Sequence, residues 1–569
     1  MRRSLTIGIA GAGGDGVVVL GTLLQQLAAS QGYFSQMPKF YGAQIRGGGS
    51  AVKLSLDAEG SSLPKDSLDI LVCFDWGRYL EFQRELPLRA DTLVIYENTP
   101  SKEIDLPEKS FKIDFSGTSQ GATGATRSKN IVALGLLNRI LALPEDRVRA
   151  AIDKDKELKL LRKTFPALEA GGHLLADLSF PELRLSPARD DLAKVVLDGN
   201  TAVARAAVRA GCRAFFGYPI TPASEIMDAM QEELSRGKGA FLQAEDEIAS
   251  ACLALGASIT GAKSLTSTSG PGFALMTESM VLASSAEIPL VIVDVQRCGP
   301  STGIPSKSEQ SDLNHAIYGG HGDAPRVVIA PYDLEGCYRL LIESINIAQY
   351  YQTLVILLSD QWLGQTPVAA NDEFLKKDYP IRERKKPAGK DLEDYRRYRL
   401  TDDYISPMMV VGDPGSVYQT TGLTHNERGR PAFDFETNQK MHEKRWRKLA
   451  PLCQRDDLVK VFGKEESRRG ILTWGSCAQV VLDTVRELGL EDEVKVCVPE
   501  LIYPLPERAE RFVRATKKLL VIEMNYSGQF YRYLRSQIDL APDTKTYNRA
   551  GGRPFSRKEL TEPIMEIVR

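Results

Sequence analysis

The segment AFFGYPITP, residues 214–222, passes from an apolar run into a turn that holds two prolines. A similar transition from an apolar run to small or polar residues recurs near residues 243, 268 and 296. Apolar runs that alternate with amphipathic helical stretches are typical of parallel strands buried on both faces by helices. The sequence therefore predicts an α/β fold. Its doubly wound sheet has predicted strands at residues 213–216, 241–243, 264–268, 289–295, 326–330 and 353–358.

The alternation continues in both directions along the chain. Predicted strands precede this segment at residues 5–10, 69–74 and 92–96, with predicted helices at 17–31 and 130–143. A smaller α/β unit follows it, with predicted strands at residues 470–473, 494–498 and 519–523. Residues 376–400 form a charge run of mixed sign, which predicts a solvated face. We expect a multidomain chain divided into residues 1–188, 195–375, 376–465 and 466–569.

Composition limits the classes of function. The 569-residue chain has 72 lysines and arginines against 74 aspartates and glutamates, a net charge of −2. This balance gives no general attraction to nucleic acid or to anionic membranes. No apolar run approaches the roughly 20 residues of a membrane-spanning helix, and we expect no signal peptide. The eight cysteines form no C-x-x-C pair and the five histidines form no H-E-x-x-H, so the sequence predicts no metal site and a reducing cytoplasm.

Residues 11–16, Gly-Ala-Gly-Gly-Asp-Gly, follow a predicted strand and match the G-x-G-x-x-G pattern of dinucleotide-binding turns. An acidic residue about 20 positions further on would bind the ribose, yet none occurs from Val17 to Leu56. The turn is also no Mg²⁺–diphosphate loop, because the asparagine that such a loop needs is missing before Asn98. The remaining interpretations are a phosphate held on free N–H groups, or close packing.

Four strand ends in the second segment carry residues suited to chemistry. Thr221 follows the first strand, where it alternatively caps a helix, and Glu247 opens a helix, where it alternatively balances the helix dipole. The small residues from Ser269 to Gly272 would let a planar ligand approach the backbone, and Arg297 follows the fourth strand. Ligands of open α/β sheets bind outside the carboxyl ends of the strands. The four ends therefore predict one crevice.

These motifs resemble the 2-oxoacid:ferredoxin oxidoreductases, specifically an α subunit with a γ domain fused at its N-terminus. The γ-domain similarity lies in GAGGDG and YGAQIRGGGS. FFGYPITP, EDEIAS, TSTSGPG and VQRCGPSTGIPSKSEQSDL resemble the pyrimidine-binding domain, and ILTWGS, LIYPLP and VIEMNYSGQ resemble a transketolase C-terminal-like domain. The resemblance implies a Rossmann-like γ-type sheet in 1–188, a thiamine diphosphate (ThDP)-binding domain in 195–375, a charged linker in 376–465 and the C-terminal-like domain in 466–569.

The resemblance also implies roles for single residues. Glu247 would hydrogen-bond N1′ of the ThDP aminopyrimidine and promote loss of the C2 proton, with the pKa of its carboxyl group raised by burial. Arg297 would bind the carboxylate of the 2-oxoacid, and Thr221 would lie near the substrate. The further cofactor contacts would be Tyr218, Pro219, Ile220, Ser269, Gly270, Pro271 and Gly272.

Two absences point to a partner. The chain has neither a ThDP–Mg²⁺ motif nor cluster cysteines, and in the family the β subunit provides both. The resemblance therefore implies an obligate complex, expected as (αβ)₂, whose β subunit carries Mg²⁺ and a [4Fe–4S] cluster and whose electrons pass to ferredoxin. Coenzyme A would accept the acyl group. The turn Arg46-Gly47-Gly48 is a candidate contact for coenzyme A or for the partner.

The substrate is less closely defined, since Arg297 would serve any 2-oxoacid. A dicarboxylate needs a second cation or several donors, for which Lys307, Arg46 and groups of the β chain are candidates. The γ–α fusion favours 2-oxoglutarate over pyruvate, in a reaction that is reversible toward reductive carboxylation of succinyl-CoA. Two alternatives from other classes stay open: an NAD- or FAD-linked dehydrogenase that uses residues 11–16, and a non-catalytic scaffold that only binds partners.

Overall fold

The structure, a computed structural model, describes residues 1–42, 48–60, 63–100, 104–143, 163–190, 192–237 and 239–569. It divides into two compact units. The first comprises Met1–Asp198 with Gln365–Lys376, and the second comprises Gly199–Gly364 with Lys377–Arg569. None of the helices within the described ranges is long and apolar enough to cross a membrane.

The elements follow one another in chain order. Residues 1–198 form strands β1 (Ser4–Ala12), β2 (Phe34–Gln36), β3 (Lys39–Tyr41), β4 (Gly49–Asp57), β5 (Ile70–Cys73), β6 (Leu93–Tyr96), β7 (Ser110–Lys112) and β8 (Val195–Leu197), with helices α1 (Val17–Ser30), α2 (Trp76–Glu81), α3 (Phe115–Thr123), α4 (Lys129–Leu141) and α5 (Phe165–His173). Residues 199–365 form β9 (Cys212–Gly217), β10 (Ala240–Gln243), β11 (Lys263–Thr268), β12 (Leu290–Gln296), β13 (Val327–Ile329) and β14 (Leu354–Asp360), with α6 (Gly199–Arg209), α7 (Ser224–Gly237), α8 (Glu247–Ile259), α9 (Gly270–Leu275), α10 (Thr277–Ser285), α11 (Leu313–Tyr318), α12 (Leu334–Tyr351) and α13 (Gln361–Gln365). The remainder forms β15 (Val368–Ala370), β16 (Val459–Phe462), β17 (Arg469–Thr473), β18 (Val494–Pro499), β19 (Leu501–Tyr503), β20 (Lys518–Glu523) and β21 (Lys545–Asn548), with α14 (Glu373–Lys376), α15 (Lys390–Glu393), α16 (Phe435–Arg447), α17 (Cys477–Glu487), α18 (Glu507–Arg514), α19 (Gln529–Gln537) and α20 (Arg557–Val568).

The first unit contains a nine-stranded sheet in the order β7-β6-β5-β1-β4-β2-β15-β8, with β3 beside β4. Strands β5, β6 and β7 run parallel to β1, as the sequence predicts. Strand β4, which the sequence does not predict, pairs antiparallel with β1 along its whole length. Polar residues interrupt the apolar run of β4, so the sequence does not show it as a buried strand. One of them, Lys53, is 9% exposed and donates a hydrogen bond to the Asp66 carbonyl at 2.9 Å.

The second unit contains a seven-stranded sheet in the order β10-β9-β11-β12-β14-β13-β19. Six of its strands are parallel and coincide with the six predicted strands, which confirms the doubly wound α/β fold. The seventh, β19, joins the edge antiparallel to β13. Strands β12 and β14 are buried along their entire length, since helices cover the sheet on both faces.

A five-stranded sheet in the order β16-β18-β17-β20-β21 lies in the C-terminal part of the second unit. Strands β17, β18 and β20 are the three predicted ones and are parallel. Helices α17 and α20 cover this sheet with Val481, Val485, Leu560 and Ile564, all buried. The C-terminal segment is therefore a small α/β layer of its own within the second unit.

The charged segment around residues 376–400 is largely exposed, as the sequence predicts, but two of its arginines are buried. Arg384 is 5% exposed and Arg397 is 1% exposed. Arg384 donates to the Gln349 side chain and to the Ser258 carbonyl, and Arg397 donates to the Glu287 carbonyl at 2.6 Å. These hydrogen bonds from buried guanidinium groups attach this segment to the body of the second unit.

The Glu287 carboxylate is the centre of this attachment. Lys444 of α16 donates to it at 2.6 Å, and Lys448 donates to it at 2.8 Å. All three side chains are at most 1% exposed. The neighbouring cations hold the pKa of Glu287 well below its usual value, and burial lowers the pKa of Lys444 to about 7. One buried anion thus joins helix α16 to the turn before β12.

We expect Glu287→Gln to destabilise the chain far more than Lys444→Met. The first change leaves two buried ammonium groups without a counter-charge, for which a loss of about 3–5 kcal/mol is typical, whereas the second leaves the Glu287–Lys448 pair intact. The midpoint of urea-induced unfolding measures the difference. Equal midpoints for the two variants would contradict the central role of Glu287.

Candidate active site

Four neighbouring strands end at the same edge of the seven-stranded sheet. Strands β10, β9, β11 and β12 are adjacent and parallel, so their carboxyl ends lie side by side. The segments that leave these ends carry Glu247, Thr221, Ser269 and Arg297, respectively. The structure thereby brings together the four strand ends from which the sequence predicts one crevice.

Glu247 is the first residue of α8 and is 5% exposed. The preceding Asp246 caps this helix, because its carboxylate accepts a hydrogen bond from the Ala249 N–H at 2.7 Å. Burial raises the pKa of the Glu247 carboxyl group, the Asp246 charge raises it further, and Arg297 lowers it. Desolvation therefore favours a protonated Glu247, as the sequence predicts.

Gly272 provides the space for this carboxyl group. A Cβ atom at position 272 would lie 2.2 Å from Oε1 of Glu247 and 2.3 Å from Oγ1 of Thr268. Nearby, the Oγ of Ser269 is buried and has no hydrogen-bond partner among the described residues. The start of α9 is thus a cradle that receives the Glu247 carboxyl group and offers an unused hydroxyl.

Arg297 is 6% exposed and follows β12. Its Nη1 donates to the Thr221 carbonyl at 2.7 Å, whereas its Nε has no partner within the described part of the chain. The contact joins the ends of β9 and β12. Arg297 therefore keeps donors for an anion while its position is fixed by the backbone.

Thr221 itself does not cap a helix, so that alternative is wrong. Helix α7 begins only at Ser224, after a cis bond between Thr221 and Pro222. The side chains of Tyr218 and Thr221 are exposed, with Tyr218 at 39%. Tyr218 and Thr221 are therefore open to solvent, and the Thr221 carbonyl contacts Arg297.

Two carboxyl groups that the sequence analysis missed lie beside Arg297. Asp294 is fully buried on β12. Neither of its carboxyl oxygens has a hydrogen-bond partner among the described residues. Burial and the neighbouring Asp312 raise the pKa of Asp294 well above its usual range, and burial raises the pKa of Asp312 to about 6. The charge of Arg297 opposes part of this rise in both groups.

Gln310 fixes the segment that carries Asp312. Its side chain is fully buried and donates to the Trp474 carbonyl at 2.8 Å. Its Oε1 accepts from the Met524 N–H at 2.8 Å, and its backbone N–H donates to the Met524 carbonyl at 2.8 Å. Sequence reasoning missed Gln310 because its partners are distant in the chain. The loop after Arg297 is thus held by the five-stranded sheet.

Lys307 lies on the returning limb of that loop. The Cys298 N–H donates to the Lys307 carbonyl at 2.9 Å, and Cys298 also pairs with Ile304. Ten positions of sequence therefore fold back beside Arg297. The Lys307 side chain is half-buried.

Side chains of the protein pack against the glycine turn at residues 11–16 of the first unit. The Asp15 carboxylate accepts from the Ala12 N–H at 2.7 Å and pairs with Lys129 at 2.8 Å. A Cβ atom at Gly16 would lie 2.5 Å from the Asn130 side chain. Of the two interpretations left open, these contacts favour close packing. Arg46 and Gly47 lie outside the described residues, and the Gly48 carbonyl accepts from the Gly13 N–H at 3.0 Å.

The cradle fits the aminopyrimidine of ThDP. A buried carboxyl group with a raised pKa can hold the proton that a ring nitrogen accepts, and the free Ser269 hydroxyl lies at the same helix start. A family model described as the thiamine diphosphate-binding part of pyruvate flavodoxin/ferredoxin oxidoreductase matches residues 205–444. The second unit therefore contains a ThDP-binding domain of an α/β oxidoreductase.

Comparison with known proteins identifies the family. A model of pyruvate ferredoxin/flavodoxin oxidoreductase also matches residues 6–174. A 2-oxoacid:ferredoxin oxidoreductase subunit alpha from a Sulfolobus species is 30% identical over 100% of this chain and 97% of its own length. The chain belongs to the 2-oxoacid:ferredoxin oxidoreductase family, which confirms the resemblance seen in the sequence, and it corresponds to the α subunits.

Two further relatives carry a more specific name. The 2-oxoglutarate synthase subunit KorA of Methanocaldococcus jannaschii is 36% identical over 65% of this chain and 98% of its own length. A solved 2-oxoglutarate:ferredoxin oxidoreductase from Magnetococcus marinus, with 2-oxoglutarate, coenzyme A and succinyl-CoA bound, has 32% identity and a TM-score of 0.92. The two chains cover each other completely. The agreement confirms the multidomain α/β fold.

We expect Gly272→Ala to lower turnover of the assembled complex by about 100-fold, because the added methyl group displaces the Glu247 carboxyl group. Steady-state kinetics and ThDP titration measure the effect. Gly256→Ala on α8 is the matched control, since nothing lies within 4 Å of a Cβ atom there. Full activity of Gly272→Ala would show that Glu247 need not occupy this position.

Proposed function

We propose that this chain is the α subunit, with a fused γ-type domain, of a CoA-acylating 2-oxoglutarate:ferredoxin oxidoreductase. The proposed reaction converts 2-oxoglutarate, coenzyme A and oxidised ferredoxin to succinyl-CoA, CO₂ and reduced ferredoxin, reversibly. The observation that carries this proposal is the buried Glu247, whose carboxyl group has a raised pKa and fits against Gly272, in a chain that matches the Magnetococcus marinus enzyme end to end.

ThDP, when bound, supplies the chemistry by which a 2-oxoacid loses CO₂ and its acyl group becomes available for oxidation. Glu247 would hold a proton at its carboxyl oxygen and share it with N1′ of the aminopyrimidine. The raised pKa of Glu247 supports this role, because an ionised carboxylate has no proton to share. Ser269, Gly270, Pro271, Tyr218, Pro219 and Ile220 are the proposed neighbours of the cofactor.

Arg297 is the proposed contact for the substrate carboxylate. Its bond to the Thr221 carbonyl orients the guanidinium group, and its Nε remains available for an oxygen of the substrate. Burial raises the pKa of both Asp294 and Asp312, which favours their neutral forms and so weakens their attraction for Arg297. The arrangement holds Arg297 in place and leaves its attraction for a further anion.

A β subunit is the proposed partner. Apolar side chains surround the candidate site at Ile248, Leu275 and Ile304, which are 47%, 52% and 51% exposed. Exposed apolar groups beside a cofactor site support a protein interface. Within the described residues, no group of three or more histidines, cysteines, aspartates or glutamates is placed to hold a metal ion. We also assign the ThDP-bound Mg²⁺ and the [4Fe–4S] cluster to the β subunit of an (αβ)₂ complex in the cytoplasm, as the resemblance in the sequence implies.

Substrate choice rests on the relatives and on charge. The names of the KorA relatives support 2-oxoglutarate, and Lys307 beside the Arg297 loop is the proposed contact for its second carboxylate. Pyruvate is the second candidate, because both matching family models carry that name.

The same proposal includes a division of the chain into four parts: a γ-type domain (1–188), a pyrimidine-type domain (195–375), a charged linker (376–465) and a transketolase C-terminal-like domain (466–569). It also includes a contact of Arg46–Gly48 with coenzyme A.

Co-purification from the native source, followed by viologen or ferredoxin reduction, tests the proposal. We expect a smaller iron–sulfur subunit to accompany the chain, and reduction to need both 2-oxoglutarate and coenzyme A. Reduction with pyruvate alone would keep the family chemistry and overturn the substrate. A colourless single chain without activity would overturn the whole proposal.

Lys307→Met is expected to raise the KM for 2-oxoglutarate about tenfold and to leave the KM for pyruvate unchanged, because only the former loses an ion pair. Steady-state kinetics of the complex on both substrates provide the measurement. Lys386→Met, at an exposed lysine, serves as the control. Equal losses on both substrates would remove Lys307 from the distal contact.

A further inference from the structure

A second cavity, of about 490 Å³, lies in the second unit away from the candidate active site. It opens beside Arg326, which immediately precedes β13. Strand β13 runs parallel to β14, which in turn runs parallel to β12. Arg326 therefore lies at the amino edge of the sheet, whereas Glu247 and Arg297 lie at its carboxyl edge. The cavity is distinct from the ThDP crevice.

Arg326 is a buried cation without a counter-charge. Its side chain is 2% exposed, its Nε donates to the Ala324 carbonyl at 3.2 Å, and its Nη1 has no partner among the described residues. No carboxylate of the described chain lies within ion-pair distance of it. Burial lowers its pKa to about 10. An unpaired buried charge is strongly unfavourable, which indicates that something else satisfies this group.

Arg384 shows how this fold satisfies a guanidinium group that serves structure alone. It is similarly buried, at 5% exposure, and burial likewise lowers its pKa to about 10. Its Nε and Nη2 donate to the Gln349 side chain at 3.0 and 2.8 Å, and its Nη1 donates to the Ser258 carbonyl at 2.8 Å. Arg326 lacks such a set of acceptors and instead lines an open volume.

The other walls of the cavity are aromatic and apolar. They are formed by Trp446, Leu449, Tyr503, Leu505 and Ile538. Glu507 and Glu510 also line it, but each pairs with an arginine four positions further along α18, at 3.6 and 2.6 Å. Of the charged side chains that line the cavity, Arg326 is thus the one without a partner.

We propose that this cavity binds a small organic monocarboxylate with an aromatic or apolar body. The carboxylate would accept hydrogen bonds from the Arg326 guanidinium group, whose planar fork matches two oxygens. The body of the ligand would pack between Trp446, Tyr503 and Ile538. The volume is in the range of sites for small molecules. This site is independent of the proposed reaction, and its tests do not depend on turnover.

The first test is calorimetric titration of the purified complex with 3-phenylpropionate and with its uncharged counterpart 3-phenylpropanol. We expect saturable binding of the acid and binding of the alcohol that is weaker by about tenfold or more. Ala450→Phe, at an exposed position on the cavity wall, should fill the cavity and abolish binding of the acid. Because Arg297 does not line this cavity, the variant distinguishes binding here from binding at Arg297. Equal binding of acid and alcohol, no saturable binding of the acid, or unchanged binding in Ala450→Phe would contradict the proposal.

The second test uses stability and requires no ligand. An arginine kept for binding destabilises the empty protein, so Arg326→Met should raise the apparent Tm of the complex. Arg384→Met is the matched control and should lower it, because the Gln349 and Ser258 acceptors are then left unpaired. A drop in Tm for Arg326→Met as large as that for Arg384→Met would show that Arg326 is a structural group and would overturn the proposal.

Discussion

The carboxyl group of Glu247 occupies the space that any side chain at position 272 would fill. This contact joins the start of α8 to the start of α9, and each helix begins where a strand of the parallel sheet ends. The sheet order makes the contact possible, because β10 and β11 both lie beside β9. Burial of the carboxyl group then raises its pKa, so the same contact that packs the two helix starts together also favours the protonated form of Glu247.

Buried charge is the second theme of the molecule. Glu287 pairs with Lys444 and Lys448, and Asp294 and Asp312 lie beside Arg297 with pKa values that burial raises. In both places desolvation and neighbouring charges set which groups are ionised. Arg326 differs because no carboxylate of the described residues pairs with it, and its Nη1 has no hydrogen-bond partner there. The expectation that a buried charge is paired, which holds for Glu287, is therefore not met at Arg326.

The sequence predicts much of the fold because long apolar runs mark the parallel strands directly. The ends of β9, β10, β11 and β12 were predictable together with Thr221, Glu247 and Arg297, since chemistry at strand ends follows from the α/β pattern. Strand β4 was not predictable, because Lys53 is satisfied by a carbonyl that only the fold brings near. The roles of Gln310 and Asp312 were not predictable for the same reason, because their environment comes from residues distant in sequence. Within the charge run at 376–400, the burial of Arg384 and Arg397 was not predictable, since their acceptors lie elsewhere in the chain.

The most direct test of the account is the rate of hydrogen–deuterium exchange at C2 of ThDP bound to the assembled complex, compared between the wild type and Glu247→Gln. If Glu247 holds the proton shared with the aminopyrimidine, the variant should exchange more slowly by about 10²–10⁴-fold, with ThDP still bound. An unchanged exchange rate with cofactor bound would contradict the central role of this carboxyl group.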